Sequence, residues 1–286
     1  MEARKKVTLN YILEKKAKGE KLARTALYDY PMAVLAEEAG IEIINMGDSI
    51  ATVMLGHKTT NEADLDIMIE HAKAVRAGTP SAFIMGDMPF LSYQISDEEA
   101  IRNAGRYIRE AGMDCVKIEG GMEIVHTIEA LTKAGIPVIA HTGLTPQKAL
   151  QMGGYKTQGR DTLAAVELIR ETAAFEKAGA IAVVIEAVPA EVAKVIYERS
   201  GIPILGTGCG PYSDSPMINF YDLLGYYDRN PKFVKKYANV RQIALEAVGQ
   251  FVKECHDGVY PGPEHCYKMK DGEEENLLKL LAEQGL

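Results

Sequence analysis

One stretch of the chain reads Cys115-Val116-Lys117-Ile118-Glu119, a short apolar run that carries a lysine and ends in a carboxylate. Side chains alternate along a β-strand, so Lys117 and Glu119 share one face while the apolar residues around them point the other way. The apolar face is expected to pack against helices, which directs Lys117 and Glu119 into the interior near the end of the strand. An unpaired ammonium is costly there, so Lys117 requires carboxylates or an anionic ligand beside it. A structural Lys–Glu ion pair that only fills the interior is the alternative interpretation.

Five further apolar runs end in the same way, in a polar and mostly ionisable residue. These runs occupy residues 43–48, 82–87, 138–141, 183–186 and a glycine-rich exit at 204–210, and the first four end in Asp48, Asp87, His141 and Glu186. When parallel strands close into a barrel, their carboxyl ends converge on one mouth, and catalysis in such barrels happens there. The repeated pattern therefore predicts an active site at one end of a barrel.

Amphipathic helical patterns separate the apolar runs, which is typical of a parallel sheet covered on its outer face. Strands are predicted at 21–27, 41–46, 82–86, 114–118, 137–141, 181–185 and 203–207, with a weaker eighth at 219–223. Helices are predicted at 7–19, 31–39, 62–77, 97–111, 122–134, 161–178, 190–200 and 273–284. This order favours an α/β fold of the TIM (β/α)8 barrel type over an open Rossmann sheet, and no Gly-x-Gly-x-x-Gly follows the first strand.

The length of 286 residues suits one such barrel, so residues 1–286 are expected to form a single domain with an N-terminal helix and a C-terminal tail helix. The formal net charge of −8 argues against nucleic acid as a main partner, since phosphate binding needs a clustered basic surface. No apolar run approaches the roughly 18 residues of a membrane span, and the first residues are not expected to act as a signal peptide. The four cysteines have no zinc spacing, which predicts free thiols and a cytoplasmic enzyme of small molecules.

Asp48 and Asp87 each follow a glycine at the end of a predicted strand. A helix N-cap is a common use of Asp in that place and is the alternative interpretation. Together with Glu119 they make an all-oxygen set of the kind that hard divalent ions prefer, and Mg²⁺ usually binds through one or two carboxylates plus waters and substrate. The sequence therefore predicts a Mg²⁺ site at Asp48, Asp87 and Glu119. Zinc fits less well because His141 is the only well-placed histidine.

His141 and Glu186 complete the candidate set. His141 is expected to face inward and to hydrogen-bond a substrate, with a buried core histidine as the alternative. Glu186 is the candidate base for proton abstraction, with a helix-capping glutamate as the alternative. A Mg²⁺ ion beside Lys117 and His141 can hold a 2-oxo acid by its carboxylate and keto oxygen. The ion acidifies the neighbouring C–H, and Glu186 can remove that proton to leave an enolate, which is a carbon nucleophile.

The motifs around these residues resemble the ketopantoate (3-methyl-2-oxobutanoate) hydroxymethyltransferase family, and the likeness runs from about residue 20 to 267. In chain order the motifs are Tyr28-Asp29-Tyr30, Met46-Gly47-Asp48-Ser49, Gly56-His57, Gly86-Asp87-Met88-Pro89-Phe90, Val116-Lys117-Ile118-Glu119-Gly120-Gly121, His141-Thr142-Gly143-Leu144-Thr145-Pro146-Gln147, residues 153–160, Glu186-Ala187-Val188-Pro189 and Gly258-Val259-Tyr260-Pro261. So many motifs, in order and at family spacing, make the resemblance specific.

The resemblance implies a TIM-type barrel of the phosphoenolpyruvate mutase/isocitrate lyase superfamily and a homo-oligomer, decameric in bacterial members. It implies Asp48 and Asp87 as Mg²⁺ ligands at the substrate site, with Glu119 close by and in part bound through water. The family's one-carbon donor is 5,10-methylenetetrahydrofolate, and its acceptor is 3-methyl-2-oxobutanoate.

The resemblance also distributes the remaining roles. Ser49, Lys117 and His141 are implied to hold the oxo acid, and Glu186 is implied to be the base. With Mg²⁺ and the folate as co-substrate, these residues imply formation of ketopantoate through an enolate.

Three segments depart from the family pattern. Residues 60–64 read Thr-Asn-Glu-Ala-Asp, where a Thr-Leu-Pro-Val-Thr type run is usual in the family. Asp214-Ser215-Pro216 stands in place of Asp-Gly-Gln, and Tyr221-Asp222 stands in place of a His-Asp pair. Ala26-Leu27 replaces the usual Thr-Ala before Tyr28. The metal and oxo-acid residues are intact. The departures fit either lineage drift or a paralogue that makes or breaks C–C bonds with another 2-oxo acid or one-carbon donor.

Two other functions remain as alternatives, a non-catalytic barrel and the phosphomutase or lyase chemistry of the superfamily. The lyases' cysteine loop, of Lys-Lys-Cys-Gly-His type, is absent from the sequence. The fold by itself does not choose among these chemistries.

Overall fold

A computed structural model describes residues 4–228 and 231–286. Eight parallel strands close into a barrel in which each strand pairs with the next and the eighth pairs with the first. Strands β1 to β8 are Arg24–Ala26, Ile43–Met46, Phe83–Asp87, Cys115–Glu119, Val138–Gly143, Ala182–Glu186, Ile204–Thr207 and Ser215–Asn219. The predicted (β/α)8 barrel is confirmed.

Helices follow most of the strands, and those that lie between strands in the sequence cover the outside of the barrel. Helices α1 to α11 are Leu9–Ala17, Tyr30–Ala39, Ile50–Val53, Leu65–Gly78, Asp97–Ala111, Val125–Lys133, Thr162–Lys177, Ala190–Arg199, Phe220–Leu224, Val240–His256 and Glu273–Gln284. The ends of α5 show why these segments are helical. The Ser96 hydroxyl accepts a hydrogen bond from the backbone N–H of Glu99, and Gly112 ends the helix with φ 63°.

The eighth strand lies earlier than the sequence predicts, so the prediction of a strand at 219–223 is wrong. β8 contains Pro216, which cannot donate to a sheet ladder, and this weakens the strand signal there. Asn219 then begins α9 by accepting a hydrogen bond from the backbone N–H of Tyr221. Helix α10, with 17 residues, is a second element that the pattern analysis missed.

The barrel interior is apolar at the amino ends of the strands. The first inward residues of the strands form one buried cluster with side chains from the N-terminal segment, among them Val7, Ile12, Leu22, Ile43, Phe83, Cys115, Ile139 and Leu205. Val116 and Ile118 belong instead to the larger cluster that includes residues of the outer helices. The alternation inferred for β4 is therefore present, and the polar interior lies at the carboxyl ends of the strands.

The chain divides into two compact units, Met1–Tyr237 and Ala238–Leu286. The first unit holds all eight strands and helices α1 to α9. The second unit consists mainly of α10 and α11, and the predicted tail helix at 273–284 is α11. A single domain over 1–286 stays a prediction. In the described parts of the chain, no helix has the length and hydropathy to cross a bilayer.

Candidate active site

A buried lysine lies among acids at the carboxyl end of the barrel. Lys117 Nζ is 2.9 Å from Asp87 Oδ2 and 3.6 Å from Glu119 Oε2, and each of these side chains is at most 6% exposed. The strand register puts Asp87 directly beside Lys117. Burial alone would lower the pKa of Lys117, but the surrounding carboxylates outweigh it and raise the pKa, so the ammonium is charged. The requirement for carboxylates beside this lysine is met.

Asp48 lies in the loop after β2 and is buried. Its Oδ2 accepts a hydrogen bond of 2.8 Å from Gln147 Nε2 rather than from the backbone of a following helix. The backbone N–H of Gln147 donates to Glu119 Oε1 at 2.7 Å, so this one glutamine joins two acids that are 71 residues apart in the sequence. Burial raises the pKa of Asp48 to about 7. Below that pH the carboxyl group holds a proton, which a bound cation would have to displace.

The loop after β2 also contacts Asp87. A Cβ added to Gly47 would lie 2.9 Å from Ser49 Oγ and 3.2 Å from Asp87 Oδ2, so only glycine lets these groups approach. Neither Asp48 nor Asp87 caps a helix through its side chain, and Ser49 makes no capping hydrogen bond. The N-cap interpretation of these two aspartates is therefore wrong.

Ser49 is held by a polar chain that the sequence analysis did not foresee. Its Oγ is 2.7 Å from the hydroxyl oxygen of Tyr28, which is fully buried. Asn219 Nδ2 donates to the same Tyr28 oxygen at 2.5 Å. Tyr28 belongs to the Tyr28-Asp29-Tyr30 motif, so the sequence held a signal for this contact. Asn219 lies in residues 219–223, where a strand was wrongly predicted.

His141 lies between two carboxylates. Its Nδ1 is 3.3 Å from Glu119 Oε2, its Nε2 is 3.4 Å from Glu186 Oε2, and the histidine is 2% exposed. Burial and the charge of Lys117 alone would lower the pKa of His141, but Glu119 and Glu186 outweigh them and raise it. Glu186, whose side chain is 20% exposed, ends β6 and reaches the open side of the site. Its side chain does not cap α8, so the capping interpretation is wrong.

The backbone around Glu186 is unusually constrained. Ala187 has φ 48°, which is uncommon for a residue with a side chain, and its N–H donates to the Thr207 carbonyl at 2.8 Å. Gly143 has φ 89°, and a Cβ there would lie 2.3 Å from the carbonyl oxygen of Glu186. Strain of this kind persists only where the surrounding structure enforces it and is frequent at functional sites.

Replacing Gly143 by Ala is expected to displace the end of β6 and with it the Glu186 carboxylate. We expect a loss of about 3 kcal/mol in the free energy of unfolding, from the clash and the backbone conformation together, measured by urea denaturation. Gly135→Ala is the matched control, because Gly135 has φ 83° but no atom within 4 Å of an added Cβ. If both variants lose the same free energy of unfolding, the clash between the added Cβ and the Glu186 carbonyl costs nothing beyond the backbone strain.

The acids can accept a metal ion only with additional ligands. Among residues 4–228 and 231–286, no three His, Cys, Asp or Glu side chains are placed to hold a metal by themselves. Lys117 lies between Asp87 and Glu119 instead. However, Asp87 Oδ1 and Glu119 Oε2 are buried without a hydrogen-bond partner, and such acceptors are costly to leave unsatisfied. The residues fit a hard divalent cation that also takes waters and substrate oxygens.

A cavity of about 210 Å³ opens over these groups, large enough for a small organic acid. Its lining includes Asp48, Ser49, Asp87, Lys117, His141 and Glu186, while Glu119 lines a neighbouring cavity with Gln147. The structure thus brings together every candidate residue of the sequence analysis. It adds residues which that analysis missed, chiefly Gln147, Tyr28, Asn219 and Arg24.

Several solved structures have the same barrel architecture as this chain. Phosphonopyruvate hydrolase, determined in complex with oxalate and Mg²⁺, matches with a TM-score of 0.61 and 17% identity over 96% of this chain and 98% of its own. A 2,3-dimethylmalate lyase, described as a phosphoenolpyruvate mutase/isocitrate lyase superfamily member, matches with a TM-score of 0.58 and 18% identity over 96% and 98%. The chain therefore shares the barrel fold of these two enzymes.

The chain belongs to the ketopantoate hydroxymethyltransferase family, whose model matches residues 6–263. It is 47% identical over 268 residues to the 3-methyl-2-oxobutanoate hydroxymethyltransferase of Heliobacterium modesticaldum, covering 93% of this chain and 97% of that one. It is 46% identical over 265 residues to the enzyme of the same name from Enterococcus faecalis, covering 92% and 96%. The family resemblance and the prediction of a hydroxymethyltransferase are confirmed.

Proposed function

We propose that this protein transfers a hydroxymethyl group from 5,10-methylenetetrahydrofolate to 3-methyl-2-oxobutanoate and so forms ketopantoate. Family membership supports the reaction, and the names of the relatives supply the acceptor. The observation that carries the proposal is the meeting of Lys117, His141 and Glu186 with buried acids at one small cavity. Such a site can bind an anion, accept a proton and stabilise the charge that forms next to a carboxylate.

The acceptor is an anion, and the site offers it donors on the β2 and β4 side. Lys117 carries its charge into the cavity, and the Ser49 hydroxyl is oriented by Tyr28. We assign these two residues to the carboxylate and keto oxygens of the 2-oxo acid. His141 lies between Glu119 and Glu186, and its buried Nε2 has no hydrogen-bond partner in the described structure, so it can donate a hydrogen bond to an oxygen of the acceptor.

Asp48 and Asp87 are proposed to hold Mg²⁺, with Glu119 close by and in part acting through water. The unpartnered buried oxygens of Asp87 and Glu119 support this assignment, as does the presence of Mg²⁺ with oxalate in the phosphonopyruvate hydrolase complex, which has the same fold. When bound, the ion polarises the keto group and stabilises negative charge on its oxygen. Gln147 keeps the Asp48 and Glu119 carboxylates in place through its two hydrogen bonds.

Glu186 is proposed to remove the proton from C3 of the acceptor. It is the carboxylate of the site that remains partly exposed, and within residues 4–228 and 231–286 no ammonium lies within 4 Å of it. The C3–H bond breaks, its proton passes to Glu186, and C3 forms a bond to the methylene carbon of the folate. Both bonds from that carbon to the folate nitrogens break, one replaced by the new C–C bond and the other by a C–O bond from one water molecule. The two nitrogens take up the proton held by Glu186 and a proton of the water, and tetrahydrofolate leaves. Atoms and electrons balance without an oxidant.

The folate donor, Mg²⁺ as the physiological ion, a homo-oligomer of decameric type and a cytoplasmic location are parts of the same proposal. They rest on the family resemblance. The second candidate function is that of a paralogue that uses another acceptor or another one-carbon donor. The polar lining of the cavity around Arg24 favours a wider range of acceptors.

The test uses the purified full-length chain with Mg²⁺, 3-methyl-2-oxobutanoate and 5,10-methylenetetrahydrofolate. We expect ketopantoate as the product, measured by mass spectrometry, and we expect exchange of the C3 proton in D₂O without the folate. Exchange without transfer would retain the enolate chemistry and reject the donor. Absence of both at saturating concentrations would reject the proposed function.

A further inference from the structure

Arg24 is a second cation of the cavity, and it has no carboxylate partner. It begins β1, is 4% exposed and lines the same cavity as Lys117. Lys117 has two carboxylates within 4 Å, whereas in the described part of the chain no carboxylate oxygen comes within 4 Å of the Arg24 guanidinium. A buried arginine is almost always paired, because removing the charge from water is costly.

The hydrogen bonds of Arg24 are all to neutral groups. Nη2 donates to the Gly206 carbonyl at 2.9 Å and to Thr207 Oγ1 at 3.2 Å, and Nη1 donates to Asn45 Oδ1 at 3.3 Å. Nε is buried and has no partner. These contacts hold the guanidinium in one orientation and leave part of its donor capacity unused. Burial lowers the pKa of Arg24 to about 10, so the group is still a cation at neutral pH.

Arg24 lies on a different side of the barrel from Lys117, one of the two groups assigned to the 2-oxo acid. Lys117 is on β4, and Arg24 is on β1, three strands away around the barrel. Asn45 on β2 and Thr207 on β7 flank Arg24 and also line the cavity. An acceptor whose carboxylate pairs with Lys117 shares its cavity with a second positive charge, which no carboxylate of the described chain contacts within 4 Å. The branched hydrocarbon of 3-methyl-2-oxobutanoate leaves that charge without a partner.

We propose that Arg24 binds a second carboxylate, at the far end of the acceptor, so that this enzyme also takes 2-oxo dicarboxylic acids. The inference rests on the proposed function, because it uses the same site and the same proton transfer to Glu186. A guanidinium binds a carboxylate through charge-assisted hydrogen bonds, which are roughly twice as strong as those between neutral groups. Nη2 already donates twice and Nη1 once, so one N–H of Nη1 is the free donor outside the buried Nε. The occupied neutral contacts of Arg24 pre-orient it for such a pair.

The experiment compares two probes that differ only in the distal carboxylate, 2-oxopentanedioate and 2-oxopentanoate. Their affinities are measured by titration calorimetry at constant free Mg²⁺. We expect the wild-type protein to bind the dicarboxylate at least 10-fold more tightly and to exchange its C3 protons in D₂O. Equal affinities, or tighter binding of the monocarboxylate, would overturn the proposal even if 3-methyl-2-oxobutanoate is turned over normally.

Arg24→Met removes the charge at similar length, and we expect the ratio of the two affinities to fall at least 10-fold, to about one. Arg24→Lys should retain part of the preference, and Arg102→Met, at an exposed arginine of α5, should retain all of it. If Arg24 only fills the barrel, both affinities in Arg24→Met will fall together and the ratio will not change. Should that variant fail to fold, the wild-type ratio and the Arg24→Lys ratio still decide the question. Failure of the proposed function would appear separately, as absent transfer to 3-methyl-2-oxobutanoate.

Discussion

Replacing Glu186 by Gln is expected to lower both ketopantoate formation and C3 proton exchange by about 10³-fold, since a positioned general base contributes 10²–10⁴ to a rate. Gln keeps the size of the side chain at the end of β6 but cannot accept the proton. Glu186 is partly exposed, and Glu119 also lies beside His141, so the free energy of unfolding should change by less than about 1 kcal/mol. Binding of the 2-oxo acid, which is assigned to Lys117 and Ser49, should persist.

The readouts are deuterium incorporation by NMR and the dissociation constant of 3-methyl-2-oxobutanoate by calorimetry. Glu191→Gln, at an exposed glutamate in the first turn of α8, is the control and should behave as the wild type. If Glu186→Gln still exchanges the C3 proton at the normal rate, the base lies elsewhere and the assignment of this residue is wrong. A loss of binding equal to the loss of exchange would make Glu186 a binding residue instead.

Replacing Asp87 by Asn should abolish metal-dependent turnover, with a loss of about 10³-fold, because a bound metal contributes several kcal/mol of transition-state stabilisation. The same change removes the nearest counter-charge of buried Lys117, at 2.9 Å. Removing one partner of a buried ion pair costs about 3–5 kcal/mol, but Glu119 remains 3.6 Å from the ammonium. We therefore expect the free energy of unfolding to fall by about 3 kcal/mol, at the lower end of that range.

Mg²⁺ affinity, measured by calorimetry in the presence of the 2-oxo acid, provides a readout that is independent of turnover. It should fall at least 10-fold, because losing even a group that only supports a metal ligand lowers metal affinity by about that much. Asp271→Asn, at an exposed residue of the second unit, should change neither quantity. Unchanged Mg²⁺ affinity in Asp87→Asn would show that the metal site has been assigned to the wrong carboxylates. Unchanged stability would show that Glu119 alone suffices to neutralise Lys117.

The alternation of β4 and the acids that end successive strands could be read from the sequence, because they depend on short-range geometry. A period of two places Lys117 and Glu119 on one face whatever the rest of the chain does. The parallel direction of the strands then brings Asp87, His141 and Glu186 to one mouth. The family motifs, at their spacing, carried the rest of the functional prediction, and the match over residues 6–263 agrees with it.

The contacts that tune the site could not be read in this way. Gln147 reaches Asp48 across 99 residues of sequence, and Arg24 meets Thr207 across 183, so no local period encodes either contact. β8 carried a weak signal because its pairing with β1 and β7, rather than its composition, makes it a strand. Local pattern therefore determined which side chains face inward and at which end. Only closure of the barrel decided which of them touch, because a hydrogen bond or a missing counter-charge depends on distances that exist only when the first and last strands pair.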